Sequence, residues 1–242
     1  MKLKNIFGVF IFFLLSFCFL SCAEKRPEIY GSNSGFLGLV KNNVLNIYKF
    51  TGEWTEIPDR RFTLSPGDKL IYFDASFIII QKKNVLKLQT YNAGWKETEG
   101  SFTLPAERGE ILYDRNGSDI YIVMRNAIKA ISFNYSHWDE RLVNNIDLPQ
   151  KRNGIFLFSW LGAAFICVDG KDSLQFFELN GSVSSVVISS FTPPRGYKKA
   201  VPYYQCIGIA ENDEINFYEP GFDNKGNQKW LEIPEMRFFI NG

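Results

Sequence analysis

Five copies of one unit, alternation of apolar and polar residues inside each copy, and an aromatic share of 16% predict an all-β chain. The fold they point to is a five-bladed β-propeller with four antiparallel strands per blade, because such a blade takes about 40 to 50 residues. The copies begin at Asn43, Asn84, Asn126, Asp172 and Asp213, offsets of 41, 42, 46 and 41 residues. Asn43 leads through Thr51-Gly52 to Trp54, Asn84 through Ala93-Gly94 to Trp95, Asn126 to Trp138, and Asp213 through Pro220-Gly221 and a longer loop to Trp230. In the fourth copy Ser184 or a neighbour stands in place of the tryptophan.

Each strand of the unit follows from its own pattern. One aligned position is aliphatic (Leu45, Leu86, Ile128, Leu174, Ile215), the next polar (Asn46, Lys87, Lys129, Gln175, Asn216), and the next apolar again (Ile47, Leu88, Ala130, Phe176, Phe217). That is the period of a strand with one buried face and one wet face. Apolar runs at 36–40, 77–80, 120–124, 164–168 and 206–210 supply the preceding strand of each unit, and runs at 29–30, 70–73, 111–113, 155–158 and 200–204 supply the first. A fourth strand starts near the tryptophan and ends at Leu64, Leu104, Leu148, Pro193 and Ile240. The last copy, Trp230-Leu231-Glu232-Ile233-Pro234, nearly repeats Trp54-Thr55-Glu56-Ile57-Pro58. An open solenoid is the alternative, but it needs polar capping repeats and the first and fifth units show none.

The N-terminus carries an export signal. Lys2 and Lys4 precede an apolar run at 6–20 that ends at Ser21, Cys22 and Ala23, too short for a membrane span of about 30 Å. Phe19-Leu20-Ser21-Cys22 resembles a bacterial lipoprotein signal, although that family has leucine three residues before the cysteine and a small residue two before it. The resemblance implies a signal peptide over 1–21, a lipidated Cys22 (acylation with palmitate) and a short tether over 22–27, with the propeller over 28–242. It also implies a membrane-anchored protein of the cell envelope, at the periplasmic or surface face of a membrane, the outer membrane favoured. Cleavage after Ala23, which would release a soluble protein, fits the same residues. Without 1–21 the chain has 221 residues and a net charge of about −1.

Charge and motif content narrow the function. Lys and Arg (27) nearly cancel Asp and Glu (26), so no basic field is available to hold nucleic acid. Five blades resemble, in number alone, small lectin-type propellers and the catalytic domains of some glycosidases; the motifs of neither recur. The tryptophan column invites sugar stacking, but tryptophans at one place in every blade also pack blade on blade. Asp74 and Asp114 end first strands and would be the acid and base of a glycosidase, or turn formers. His137 is the only histidine and has no serine elbow or metal motif to work with. Cys167 and Cys206 lie in apolar runs and read as buried free thiols.

The expectation is therefore a monomeric binding or scaffold module for a protein or glycan, without catalytic residue, metal or cofactor; an envelope glycoside hydrolase is the alternative. Binding falls to the loops that differ most between units, at 114–119, 149–153, 194–199 and 221–229.

Overall fold

A computed structural model describes residues 26–98, 101–104, 109–114, 119–124, 128–134, 137–144, 152–161, 163–170, 172–179 and 188–240, with backbone alone at 132–134 and 137–144. They form five antiparallel sheets, each built of strands consecutive in sequence. Blade I contains Glu28–Ser32, Phe36–Lys41, Val44–Phe50 and an outer edge of Trp54–Glu56 and Phe62–Thr63. Blade II repeats it with Asp68–Phe73, Phe77–Lys82, Val85–Tyr91, Trp95–Glu97 and Phe102–Thr103. Blade III has Glu110–Asp114, Asp119–Val123, Ile128–Asn134 and His137–Asn144, while blade IV has Gly154–Trp160, Ala163–Asp169 and Leu174–Glu178. Blade V has Lys199–Tyr203, Cys206–Glu211, Glu214–Phe222, Gln228–Glu232 and Phe238–Phe239. The fold class expected from the repeat is the fold observed.

The hairpins between second and third strands are tight because the sequence offers residues that accept a left-handed backbone. Lys41 pairs with Val44, Lys82 with Val85 and Glu211 with Glu214, leaving two-residue turns. Asn42, Asn43, Lys83 and Asn212 take φ of 52°, 63°, 56° and 42° there. Such turns match the twist of the paired strands.

The outer strand departs from a continuous fourth strand. After Trp54–Glu56 and after Gln228–Glu232 the chain enters short 3-10 turns, Pro58–Arg60 and Pro234–Met236, before rejoining the third strand. Proline has no N–H to give the ladder. The ladder breaks after Ile57 N donates to Ile47 O and resumes with Leu64 N on Asn43 O, and Ile233 N and Ile240 N repeat this on Phe217 O and Asp213 O, all at 2.8 Å. Thr98 N and Leu104 N do the same on Leu88 O and Asn84 O in blade II, with no proline between them. In blade IV, among the described residues, the outer edge is one bridge between Leu174 and Phe191.

The core is divided into five apolar clusters, one at each blade interface. Leu45, Ile47, Phe73 and Ile78 join blade I to II, and Leu86, Ile79, Ile120 and Ile131 join II to III. Ile128, Ala130, Ile166 and Val168 join III to IV, and Phe158, Cys167, Ile207 and Ile209 join IV to V. The fifth cluster joins Leu37 and Leu39 of blade I to Val201, Ile215 and Phe217 of blade V, the two ends of the chain. An open solenoid has no such interface.

Three kinds of contact close the ring. The Trp54 ring meets Tyr203 and Phe238 edge to face and Phe217 at a tilt, with centroids 5.2–5.3 Å apart, and its indole N–H donates to Met236 O at 2.7 Å. Phe50 N donates to the Tyr203 hydroxyl at 3.1 Å. The innermost strands of blades I and V run so close at Gly31 that a Cβ there would stand 1.9 Å from Pro202 O. The same tryptophan device recurs elsewhere: Trp95 donates to Arg60 O and Arg61 O of blade I, and Trp230 to Ser189 O. Blade packing is thus the use made of Trp54, Trp95 and Trp230, while the side chain of Trp138 and residue Ser184 lie outside the description.

Candidate functional site

The five innermost strands surround a central cavity of about 280 Å³, to which every blade contributes. These strands run in one direction, so the cavity has two chemically different ends. At the end where they begin lie Lys69, Glu110, Asn153, Lys198 and Lys199, with Asp169 from the second strand of blade IV. Charges here are largely matched. Arg152 grips Glu110 through Nε and Nη2 at 2.9 and 2.7 Å, and Tyr197 hydroxyl and Asn153 Nδ2 donate to Asp169. Lys199 Nζ donates to Ile29 O at 2.6 Å and stands 4.5 Å from the Tyr30 ring centroid.

At the opposite end, where the strands finish, the lining is hydroxyl and amide. Ser32, Asn33, Tyr72 and Tyr113 line the cavity there. Ser32 Oγ and Ser34 Oγ are 2.7 Å apart, and the Tyr72 hydroxyl reaches Ser34 Oγ at 2.9 Å and Asp74 Oδ2 at 3.0 Å. The Tyr72 and Tyr113 rings meet edge to face at 4.8 Å. Burial, with the carboxylate of Asp74 beside it, pushes the Tyr72 phenol up to about 12.

The residues singled out from sequence fall as follows. Asp74 is 1% exposed, and its Oδ1 accepts from Ser76 N, Ser76 Oγ and Phe77 N at 2.7–2.9 Å. That is the bonding of a turn former, and Asp74 does not line the cavity. Asp114 is 6% exposed, is the Cα partner of the equally buried Asp119 across their hairpin, and does not line the cavity either. Among the described residues, the two acidic side chains that line it, Glu110 and Asp169, are engaged at the other end. His137 begins the outer strand of blade III, with its side chain outside the described residues. Cys167 and Cys206 are both buried and free. Burial drives both thiols up, Cys206 to about 12 and Cys167 well above its ordinary value. Among the described residues no group of three metal-ligating side chains forms. Cys22 lies outside the described residues.

The variable loops divide between the two ends: Asp114, Asp119 and the 221–229 segment lie where innermost strands finish, and Arg152, Asn153 and the 194–199 connector where they begin, while residues 115–118 and 149–151 lie outside the described residues. The 221–229 segment proves to be ladder at both ends, with Gly221 opposite Lys229 and Phe222 opposite Gln228. Only 223–227 is loop, closed by Asp223 Oδ1 accepting from Lys225 N and Asn227 N at 2.8 Å. Sequence reading overlooked Asn33, Ser32 and Tyr72. The 41-residue offset carried the signal, because it places Asn33 on Asp74, each the first residue of the turn that follows an innermost strand.

No family model matches the chain, and no curated protein matches it. Solved propeller structures do. Kluyveromyces lactis Hsv2 is similar with a TM-score of 0.51 at 9% identity, over 89% of this chain and 99% of that one. The SapL1 lectin, solved with alpha methyl fucoside, gives 0.45 at 13% over 88% and 81%. A Staphylococcus aureus virginiamycin B lyase gives 0.40 at 17% over 88% and 72%. The likeness to Hsv2 is one of fold. The class the fold defines is the five-bladed β-propeller.

Proposed function

We propose that the chain is a membrane-anchored envelope lipoprotein whose propeller works as a binding module for a protein or glycan, engaged at the channel end remote from the anchor. The observation that carries this reading is the preformed cavity at the ring's axis, walled by all five blades, with a band of hydroxyl and amide groups at one end. A closed ring presents its turns and cavity rim rigidly, so little ordering is lost on binding.

The chain's entry point supports the orientation. Residues 23–27 alone separate Cys22 from Glu28, which begins the innermost strand of blade I. A lipid on Cys22 therefore holds the end bearing Lys69, Lys198 and Lys199 against the bilayer, where lysines suit anionic headgroups. The end with Ser32, Asn33 and Tyr72 then faces away, together with the exposed side chains of Leu161, Tyr204 and Phe222. Binding without turnover is favoured because Asp74 Oδ1 is committed to its turn and Oδ2 to the Tyr72 hydroxyl, away from the cavity.

Labelled palmitate and fractionation test the anchor: label and membrane association in the wild type, both lost in Cys22→Ser, are expected. Saturable binding of the purified protein to envelope glycan or an envelope protein, without release of reducing sugar, tests the module. Hydrolysis abolished by Asp74→Asn or Asp114→Asn would make the protein an envelope glycoside hydrolase instead.

A further inference from the structure

Asn33 and Asp74 occupy the same place in neighbouring blades and are treated differently by their surroundings. Every oxygen of Asp74 has donors within 3.0 Å. Asn33 is 7% exposed, lines the central cavity, and has no partner for either Oδ1 or Nδ2. A buried amide left without partners is unfavourable, and native chains rarely keep one without a use for it. Beside it stand groups that adjust easily. The Ser32, Ser34 and Tyr72 hydroxyls are bonded to one another, and each hydroxyl rotates to donate or accept as a newcomer requires.

We propose that this end of the channel binds a neutral saccharide, with Asn33 taking a vicinal pair of its hydroxyls. The proposal rests on the reading of the propeller as a binding module and names that module's ligand class. The chemistry selects the class. An amide presents an acceptor and donors side by side, and adjacent hydroxyls return a donor and an acceptor at matching separation. A carboxylate or phosphate only accepts, so it would leave Oδ1 unpaired and bring negative charge towards the buried Asp74. Tyr113, half-buried where it lines the cavity, adds apolar surface for the C–H face of a pyranose. The whole channel offers about 280 Å³, close to the lower limit for small-molecule sites of about 300 Å³, which suits a single sugar ring at this end. Because both amide atoms are shielded from solvent, the ligand draws Asn33 about its χ1 bond into the cavity, and pairing replaces the unpaired amide.

The test titrates a soluble Cys22→Ser form with a panel of neutral mono- and disaccharides, and with a uronic acid as anionic control, by calorimetry and thermal melting. Expected is saturable binding of at least one neutral sugar at millimolar concentration or below, with none of the uronate. Asn33→Ala should melt at or above the wild-type temperature without ligand, since an unpaired polar group is removed, and should bind at least about tenfold more weakly. Asn33→Asp, which keeps the shape but loses the donors, should weaken binding likewise. No neutral sugar binding at about 10 mM overturns the proposal, as does preference for the uronate or unchanged affinity in Asn33→Ala. If sugars fail while an envelope protein still binds saturably, the ligand class is wrong and the binding-module reading stands. If nothing binds in either assay, both fall.

Discussion

Replacing Leu86 by alanine tests the blade register, because the neighbouring residue supplies an internal control. Leu86 is 0% exposed and lies between two sheets, among Tyr72 and Ile79 of its own blade and Ile111, Ile120, Ile122 and Ile131 of the next. Removing its isobutyl group costs the transfer of those carbons plus the cavity left behind, about 2 to 5 kcal/mol. Both walls are hydrogen-bonded strands that cannot easily close on the gap, so the expected loss is in the upper half of that range. Lys87 points to the other face and ties its ammonium to Glu97 at 2.9 and 3.0 Å, with the side chains 34% and 50% exposed. Exposed pairs of this kind contribute about 0 to 1 kcal/mol, so Lys87→Ala should stay within about 1. Urea unfolding of both variants reads the difference as a shift in midpoint at unchanged slope. Equal losses, or a larger loss for Lys87→Ala, would refute the register.

Trp54→Ala should cost about 3 to 5 kcal/mol, and with Tyr203→Ala should show a coupling of about 0.5 to 1.5, since their rings meet across the ring closure; additive losses would contradict that contact. Cys167 and Cys206 should resist alkylation in the folded protein and both react once it is denatured without reductant; protection that persists in denaturant would reveal a disulfide. Stability should fall as pH rises from about 9 to about 12, because Tyr72 and Cys206 hold their protons more tightly folded than unfolded. Their contribution is complete below the unfolded values and is lost through the folded ones, about 2 to 3 kcal/mol for the two-unit rise at Tyr72. Tyr72→Phe should flatten that slope, and an unchanged slope would remove Tyr72 as its source.

The blades were legible because burial in a propeller imposes the same alternation five times, and the column from Leu45 to Ile215 stays wholly buried in every copy. Where the sequence misled, one local interaction had overridden the period. Pro58 and Pro234 stand where the outer strand breaks into a 3-10 turn, but blade II breaks at the same place between Glu97 and Phe102 with no proline to announce it. Asn216 falls in the column expected to be wet yet is 7% exposed, with Nδ2 reaching Glu214 and Oδ1 unpaired. The residues at 221–229 looked like a loop because Pro220-Gly221 marks a turn in most contexts, whereas here Pro220 pairs opposite Trp230 within a long hairpin. The cavity was less legible, since it depends on which strand ends meet across an axis. Asp74 drew notice as an acid, while the polar residue left without partners was its neutral counterpart Asn33.

The closed ring is the claim on which cavity, orientation and ligand all depend, and a spin–spin distance tests it directly. Labels at the exposed turn residues Glu53 of blade I and Lys225 of blade V should lie about as far apart as labels at Glu53 and Asn92 of blade II, because both pairs belong to adjacent blades of one ring. In a Cys22→Ser background, Cys167 and Cys206 are buried and stay unlabelled. An open array would place the first pair three further sheet spacings apart, roughly 30 Å beyond the second. Matching distances are predicted; an excess of that size would contradict the closed propeller.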